Sequence, residues 1–417
     1  MGGHGSTAPP FLAVTSRPAL LSILRTLADR EGQRRALASD DRLELPVGAI
    51  QIGQGGRGGL EAGSGRGGQI GEREAEDWFS MSVGTTRANM SKNRYGDIVA
   101  YDRTRCIPPL RSAASPHEVS YVNASLVREP DLGLKESQLR RRWWIAAQAP
   151  IPSTIHDFLS LLLYPPTSLA YWSLSATSDQ TPSPVPPSLP MINLIVQLTP
   201  LVEGRREKCH PYFPSEAGQT SDVPSPSQEP GQGVWVKLEK KEEKDGARTS
   251  ELTVGKEGET QGHKVIHVEY LGWRDHGVPE SPAHLIRFID RVHDLNASLA
   301  PIPPSPAVPE PPILLHCSAG VGRTGTFIAI SSLLPFLSLL RTAPTLLSSL
   351  PGPPSPTFHP LGPYPTTRLL PDGVPDYVGA TIDALRDQRT TMAQTQEQTL
   401  WVYQALIAAW EGGLLAK

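Results

Sequence analysis

The amino-acid sequence predicts an α/β fold, with a twisted, mostly mixed β-sheet flanked by helices. Two observations support this prediction. Short apolar runs that are typical of buried strands alternate along the chain with longer segments of helical periodicity. In addition, the apolar run at 313–315 leads into a glycine-rich turn and then into an apolar helix. This turn, in which five residues separate Cys317 from Arg323, therefore lies at a strand–helix junction.

Helices are expected where apolar residues recur every three to four positions. This pattern covers 18–35, 281–295 and 383–410. The helix after the glycine-rich turn is expected to end near Pro335, because proline disrupts a helix interior. The apolar face of the first helix is predicted to consist of Leu20, Leu24, Leu27 and Ala28.

Strands are expected at 191–198, which is an apolar run, and at 264–271, where polar and apolar residues alternate. The alternation is typical of a half-buried strand. The mixed charge run at 237–244 is predicted to be a solvated hairpin or helix face. Along 264–271 the side chains of Ile266, Val268 and Tyr270 are expected to point inward, and those of His267 and Glu269 outward.

Proline and glycine, with 43 and 37 residues out of 417, interrupt the chain. Their abundance leaves too few core residues for regular structure throughout. We predict a disordered N-terminus at 1–16 and a single folded domain at 17–414. Disordered insertions in this domain are expected near 53–70, 181–190, 215–263, 298–312 and 342–375.

Charge and hydropathy argue against two classes of partner. The formal net charge of −3 argues against binding to nucleic acid. Two Gly-Arg-Gly units at 53–70 lack the aromatic residues of a nucleic-acid-binding tail. The best candidate for a membrane span, 327–340, contains a proline and is shorter than the ~18–20 residues that a span needs. We therefore expect neither nucleic acid nor a transmembrane segment.

Cysteine usage indicates the cellular compartment. Cys106, Cys209 and Cys317 are too few and too scattered for a disulfide framework or a zinc site. We therefore expect a reducing compartment, the cytoplasm, with the nucleus as an alternative. The N-terminus fits the myristoylation consensus at Gly2, and a start that is merely glycine-rich is the alternative interpretation.

The most specific chemistry lies at 313–330. In a turn of this kind, successive backbone N–H groups and the dipole of the following helix point at one spot, which binds a tetrahedral dianion. Arg323 can supply a bidentate fork to two phosphate oxygens. The same positive field favours the thiolate of Cys317, which can attack phosphorus. Thr324 is placed to hydrogen-bond the departing sulfur, and His316 to orient the loop.

The same turn also satisfies the dinucleotide-binding pattern G-x-G-x-x-G at 320–325. That interpretation requires an acidic residue about 20 positions further on, at the end of a second strand. Residues 335–352 contain none. The phosphate-binding interpretation is therefore favoured.

The segment 316–330 resembles the signature loop of the tyrosine-specific protein phosphatases of the non-receptor type, which are cysteine-dependent and metal-free. Six further segments, in the family's order, are similar to its motifs: 92–98, 121–125, 144–150, 198–209, 273–279 and 394–398. The resemblance implies hydrolysis of phosphotyrosine in proteins through a phosphocysteine intermediate, without metal or cofactor. The substrate phosphate would contact Ser318, Ala319, Gly320, Val321 and Gly322 as well as Arg323.

The resemblance also implies roles outside the signature loop. Asp275, next to Trp273 on a mobile loop, suits the general acid that protonates the leaving phenolate. Gln394 suits a group that positions water for hydrolysis of the phosphocysteine, with Gln398 beside it. Surface carboxylates and amides without function are the alternative interpretation of these residues.

Four further residues are expected around the phosphate site. Tyr95 would stack on the phosphotyrosine ring and set the depth of the cleft. Asp97 would accept hydrogen bonds from backbone amides of the substrate. Glu203 would pair with Arg323, and Lys208 would hold the acid loop shut.

Two residues depart from the family pattern. Arg274 replaces a proline in the acid loop, which changes the balance between its open and closed forms. Ala149 stands where glycine is usual.

Three alternatives remain. One is a dual-specificity or phosphoinositide phosphatase, whose sites are shallower or carry lysines in the Cys-x5-Arg loop; 318–322 contains no lysine. A second is a catalytically silent module that binds phosphotyrosine. A third is a scaffold whose proline-rich loops recruit partner domains that bind such motifs, which is compatible with catalysis.

Overall fold

The structure is a computed structural model. It describes residues 8–13, 17–40, 78–107, 121–135, 137–168, 189–227, 230–273, 277–301, 309–350, 353, 359–370 and 373–415. The predicted insertion at 53–70, Gly2 of the myristoylation consensus and most of 181–190 lie outside these residues.

The strands of the described residues are β1 Ala124–Arg128, β2 Trp143–Ala147, β3 Leu194–Gln197, β4 Val202–Glu203, β5 Arg206–Glu207, β6 Thr220–Val223, β7 Val234–Lys244, β8 Ala247–Lys256, β9 His263–Tyr270 and β10 Ile313–His316. Eight of them form a mixed sheet in the order β1-β2-β10-β3-β9-β8-β7-β6. Its central strands β2, β10, β3 and β9 are parallel, and β1 on one side and β8, β7 and β6 on the other are antiparallel to their neighbours. A separate hairpin is formed by β4 and β5.

The α-helices are α1 Arg17–Asp40, α2 Ser82–Thr85, α3 Arg87–Met90, α4 Ile155–Ser160, α5 Pro282–Ser298, α6 Gly322–Thr342, α7 Leu346–Ser349, α8 Tyr377–Arg386 and α9 Gln396–Glu411. Side-chain caps stabilise the start of two long helices. Ser281 caps the N-terminus of α5, and Thr395 forms a capping box with Gln398 at the start of α9. Short 3-10 helices lie at Pro10–Leu12, Pro152–Thr154, Leu161–Leu163 and Thr366–Arg368.

Both faces of the sheet are buried. Ile313 and Leu315 of β10 face the core that α5, α6, α8 and α9 cover. Leu314 faces the opposite core, which includes Phe158 of α4. The predicted α/β class is confirmed, and β10 ends at the centre of the sheet, so the turn after it emerges between β2 and β3.

The strand predicted at 264–271 is confirmed as β9, but the prediction that His267 and Glu269 point to solvent is wrong. His267 is 2% exposed and Glu269 is 9% exposed. The reason is that β9 lies between β3 and β8, where a second core covers the face that was expected to meet solvent. Burial lowers the pKa of His267 to about 3, so its ring is neutral at physiological pH.

The prediction of a disordered insertion at 215–263 is also wrong. This segment forms β6, β7 and β8, and β9 begins at its end. Asp245 and Gly246 connect β7 to β8 with positive φ angles of 51° and 70°, as a tight two-residue hairpin turn requires. The charge run at 237–244 belongs to β7 and lies mostly in the second half of this strand, which is exposed.

Residues 8–13 are structured as well, contrary to the prediction of disorder at 1–16, of which 1–7 and 14–16 lie outside the described residues. Phe11 is fully buried against Phe336 and Tyr377. The apolar face predicted for α1 is only partly correct, since Leu27 is buried but Ala28 is exposed. Besides Leu27, the buried face of α1 carries Ile23, Arg30 and Arg34.

Two arginines on a buried helix face need carboxylate partners, and α8 supplies them. Arg30 pairs with Asp383 at 2.9 Å, and Arg34 with Asp383 and Asp387 at 2.6 Å. Although burial opposes the charged form, these two carboxylates raise the pKa of Arg34. Ion pairs therefore anchor α1 to α8.

The helix after the glycine-rich turn, α6, does not end near Pro335 but continues to Thr342. Buried residues on both sides of the proline, Leu334 and Phe336, hold the helix in the core. By length and composition α6 is apolar enough to cross a membrane, but 78% of its most apolar window is buried inside this protein. Its composition is accounted for by its position in the core.

The predicted insertion at 342–375 contains regular structure, namely α7 and the 3-10 turn Thr366–Arg368. Carbonyls of Leu361 and Gly362 accept hydrogen bonds from Arg30. The hydroxyl of Tyr364 donates to the buried Asp376 at 3.0 Å. The segment 359–370 is therefore part of the attachment of α1 and α8.

We expect deletion of 359–370 to destabilise the protein. The deletion leaves buried polar groups of Arg30 and Asp376 without partners, and each such group costs about 1–3 kcal/mol. Urea unfolding followed by circular dichroism should show a lower free energy of unfolding, with a smaller loss in Tyr364→Phe. An unchanged unfolding midpoint would show that the segment does not hold α1.

Candidate active site

The turn between β10 and α6 places the Cys317 thiol at the base of a cavity. The backbone N–H of Gly320 donates to Sγ of Cys317 at 3.3 Å. Gly320 has a φ of 71°, and a Cβ at this position would lie 2.1 Å from the carbonyl oxygen of Ala147. Only glycine fits there, so the turn can curl tightly around the sulfur.

The carbonyl groups of the turn are bound on the side away from the cavity. The Arg389 guanidinium donates to Gly320 O at 2.8 Å and to Ala319 O at 3.1 Å. It also bonds the side chains of Asn123 and Ser125, next to β2. Arg389 is fully buried, and burial lowers its pKa to about 10. Arg389 was not predicted as a site residue, because no local pattern along the chain distinguishes it from a surface arginine.

The Arg323 side chain is held from one side. Its Nη1 donates to Glu203 Oε1 at 2.5 Å and to Leu198 O at 3.1 Å. In the described part of the chain, Nε and Nη2 make no hydrogen bond. Arg323 lines the cavity together with Cys317. A guanidinium fixed in this way keeps donors available for a bound anion.

His316 lies directly behind the turn and is completely buried. Its Nδ1 donates to Cys317 O at 3.2 Å, so its Nε2 accepts from the hydroxyl of Tyr212 at 2.9 Å. Burial lowers its pKa to about 4. The ring is therefore neutral near pH 7 and can orient the loop without carrying a charge.

The Thr324 hydroxyl is buried in the first turn of α6 and has no hydrogen-bond partner among the described residues. An unpaired buried hydroxyl costs free energy, so Thr324 is a candidate for a contact made during function.

The rim of the cavity connects three elements. The Tyr95 hydroxyl donates to Ser318 Oγ at 2.8 Å, and the Ser318 hydroxyl donates to Lys208 O at 2.9 Å. Asp97 and Gln394 are exposed at the rim. Gln398 is mostly buried, and its Oε1 accepts from the backbone N–H of Thr395.

The proposed acid, Asp275, and its neighbours 274 and 276 lie outside the described residues. Trp273 and Gly277, on either side of them, are described. The Trp273 indole is buried and donates to Gly277 O at 3.2 Å, and Gly277 lines the cavity. The Trp273 ring also lies 5.9 Å from the Arg323 guanidinium carbon.

The cavity has a volume of about 370 Å³. It brings together most of the residues predicted from the sequence. Those that line it are Tyr95, Asp97, Glu203, Lys208, Cys317, Ser318, Ala319, Gly322, Arg323, Gln394 and Gln398. Gly320, Val321, Thr324, His316 and Trp273 are not among its lining residues, whereas Ile98 and Thr199 line it without having been predicted.

The other two cysteines are buried away from the cavity, in the core that includes Phe158. Burial raises the pKa of Cys106 to about 12 and that of Cys209 to about 12. Both are therefore protonated at physiological pH. Among the described residues, no group of three or more His, Cys, Asp or Glu side chains is arranged to hold a metal ion.

Comparison with known proteins gives a matching family model, "Protein-tyrosine phosphatase". It covers residues 89–164 and 190–342, more than half of the chain. The match contains the turn with Cys317 and Arg323 but neither α1 nor the loop with Gln394.

Curated relatives carry related names. The chain is 27% identical to Tyrosine-protein phosphatase 1 of Caenorhabditis elegans over 81% of its length and 24% of the relative. It is 28% identical to Tyrosine-protein phosphatase Lar-like of the same organism, over 82% of this chain and 12% of the relative. It is 27% identical to Tyrosine-protein phosphatase non-receptor type 4 of Mus musculus, over 81% of this chain and 27% of the relative. The chain thus spans well under two thirds of each relative.

Proposed function

The chain belongs to the protein-tyrosine phosphatase family, and on this basis we propose that it hydrolyses phosphotyrosine in proteins through a phosphocysteine intermediate. One observation carries the proposal most directly. Cys317 lies at the base of a cavity whose lining includes an arginine that Glu203 fixes in place. Such a site binds a tetrahedral dianion with a nucleophile facing its centre.

The first chemical step transfers the phosphoryl group to sulfur. The Cys317 thiolate attacks phosphorus, so that a P–S bond forms while the P–O bond to the tyrosine ring breaks. Backbone N–H groups of the turn and the free side of Arg323 bind the phosphoryl oxygens. Asp275 gives its proton to the departing phenolate oxygen, which leaves as tyrosine.

The second step releases phosphate. Gln394, at the rim of the cavity, orients a water molecule toward the phosphorus. The Asp275 carboxylate takes a proton from this water, a new P–O bond forms, and the P–S bond breaks. The Thr324 hydroxyl, which has no partner among the described residues, donates to the sulfur as it departs.

The proposed preference for phosphotyrosine rests on the rim. The Tyr95 hydroxyl is tied to Ser318 at 2.8 Å, so the Tyr95 ring stands beside the entrance to the cavity. An aromatic wall favours a flat aryl ester over a short alkyl phosphate. We also propose, from the sequence, that the protein is located in the cytoplasm or the nucleus. Its proline-rich segments are proposed to recruit partner domains that bind such motifs.

Turnover of matched peptides tests the proposed function. We expect the protein to dephosphorylate a phosphotyrosine peptide in the presence of a metal chelator, and a phosphoserine peptide of the same sequence much more slowly. Equal rates on both peptides, or a preference for a phosphoinositide, would favour the dual-specificity or lipid-phosphatase alternative. Binding of the phosphotyrosine peptide without turnover would favour the silent module.

A further inference from the structure

The loop that carries Gln394 has an unusual backbone. Thr391 and Ala393, on either side of Met392, have positive φ angles of 53° and 51°. For a β-branched residue such as threonine this left-handed region is strongly disfavoured. A loop of this kind persists only where surrounding groups hold it, and such loops cluster at functional sites.

The second half of the loop contacts the phosphate-binding turn, α6 and α8. The backbone N–H of Ala393 donates to Val321 O at 3.2 Å. Arg386 donates from Nε to Met392 O and from Nη2 to Ala393 O, each at 2.9 Å. Gly325 of α6 packs so closely that an added Cβ would lie 2.2 Å from the Ala393 nitrogen. These contacts fix the second half of the loop.

The first half of the loop is held by α1, which is far away in the sequence. Glu31 Oε1 accepts from the Thr390 hydroxyl at 2.9 Å and from the backbone N–H of Thr391 at 3.1 Å. Leu27 O accepts from Arg386 Nη1 at 3.0 Å, so the same helix also secures the arginine that holds the other half. Glu31 is 8% exposed.

Glu31 therefore satisfies the backbone N–H of a residue in the left-handed region, three positions before Gln394. A side chain at this position that lacks an oxygen within reach would release Thr391 toward a more common conformation and shift the loop that follows it. Cys317, Arg323 and Glu203 do not contact Glu31 through any hydrogen bond between described residues. Loss of the accepting oxygen of Glu31 is thus expected to disturb Gln394 and to leave Cys317 and the turn that follows it in place.

We propose that Glu31 of the N-terminal helix is a positioning residue for Gln394 and acts selectively on the second step, hydrolysis of the phosphocysteine. The inference rests on the proposed function, because it assumes the two-step reaction. It assigns a kinetic role to α1, a helix that lies outside the region matched by the family model.

The test compares Glu31→Ala with wild type on an aryl phosphate whose leaving group is acidic. The ratio kcat/KM reports steps up to formation of the intermediate, whereas kcat also reports its hydrolysis. A displacement of a catalytic group by about 1 Å can lower the reaction rate by roughly 10²-fold. We therefore expect kcat of Glu31→Ala to fall by about 10- to 100-fold. The ratio kcat/KM should stay within about twofold, and rapid mixing should show a burst of the phenol equal to the enzyme concentration.

Two further variants separate positioning from stability. Glu31→Gln keeps an oxygen that accepts from Thr390 and Thr391, so it should restore most of kcat. Asp29→Ala removes an exposed carboxylate from the same helix and should change neither constant. If circular dichroism shows that Glu31→Ala does not fold, Thr390→Ala is the replacement variant, because it removes one of the two hydrogen bonds to Glu31 by changing the donor. Thr390→Ala should also lower kcat while leaving kcat/KM unchanged, with a smaller decrease in kcat than Glu31→Ala.

Equal losses in kcat and kcat/KM, or an unchanged kcat, in a folded variant would overturn the role of Glu31. Absence of the burst together with a reduced kcat would overturn it as well. Absence of turnover in the wild-type protein would instead contradict the proposed function itself.

Discussion

Cys317→Ser is expected to abolish turnover while leaving phosphopeptide binding measurable. The expected loss is on the order of 10⁶-fold, the scale reached when a covalent nucleophile is removed. Serine has nearly the same size as cysteine, but its hydroxyl is not ionised near pH 7 and cannot form the intermediate. The donors proposed to bind phosphate are the turn amides and Arg323, which the substitution leaves in place.

The measurement has two parts, turnover of a phosphotyrosine peptide and its dissociation constant by calorimetry. Cys106→Ser is the matched control, because it makes the same chemical change at a buried thiol outside the cavity. The folded control should turn over substrate at the wild-type rate. Substantial residual turnover in Cys317→Ser, or loss of turnover in Cys106→Ser, would contradict the assignment of the nucleophile.

Asp275→Ala should slow hydrolysis of tyrosine phosphate by roughly 10²–10⁴-fold, the usual contribution of a positioned general acid. The reason is the leaving group, since the phenolate of tyrosine, with a pKa near 10, departs poorly without a proton. An aryl phosphate whose phenol is strongly acidic departs without help. The loss on that substrate should therefore be much smaller.

The general acid is identified by comparing the rates of Asp275→Ala on tyrosine phosphate and on the aryl phosphate with the acidic phenol. A general defect in folding or in phosphate binding would slow both substrates equally, and that result would refute the role of Asp275. The exposed neighbour Glu280 offers a control carboxylate, and Glu280→Ala should leave the ratio between the two substrates unchanged.

The position of the turn with Cys317 and Arg323 could be predicted from the sequence because its pattern is local. Cys317 and Arg323 belong to one short turn, and a strand, a glycine-rich turn and a helix in this order place backbone N–H groups around one point. The cavity accordingly contains Cys317 and Arg323 together with Tyr95 and Gln394, which were assigned through motif resemblance. The roles of these residues stay predictions until the variants are measured.

Composition was a poor guide to the larger folded unit. Polar and proline-rich stretches at 215–263 and 342–375 were assigned to disorder, yet they contain strands and helical turns. Pairing across a sheet supplies hydrogen bonds whatever the local composition, as in β7 and β8. Burial of Tyr364 likewise depends on Asp376, a partner that composition does not reveal.

What the sequence by itself determined about this protein is the α/β class and the strand–turn–helix unit that holds Cys317 and Arg323, because these are encoded in local patterns of residues. Only the tertiary structure decided which side chains support them. Glu31 accepts a hydrogen bond from the hydroxyl of Thr390, which lies 359 positions away in the sequence. Arg389 donates a hydrogen bond to the carbonyl of Gly320, which lies 69 positions away. Such contacts form because folding brings distant segments together, and they leave no periodicity or motif along the chain.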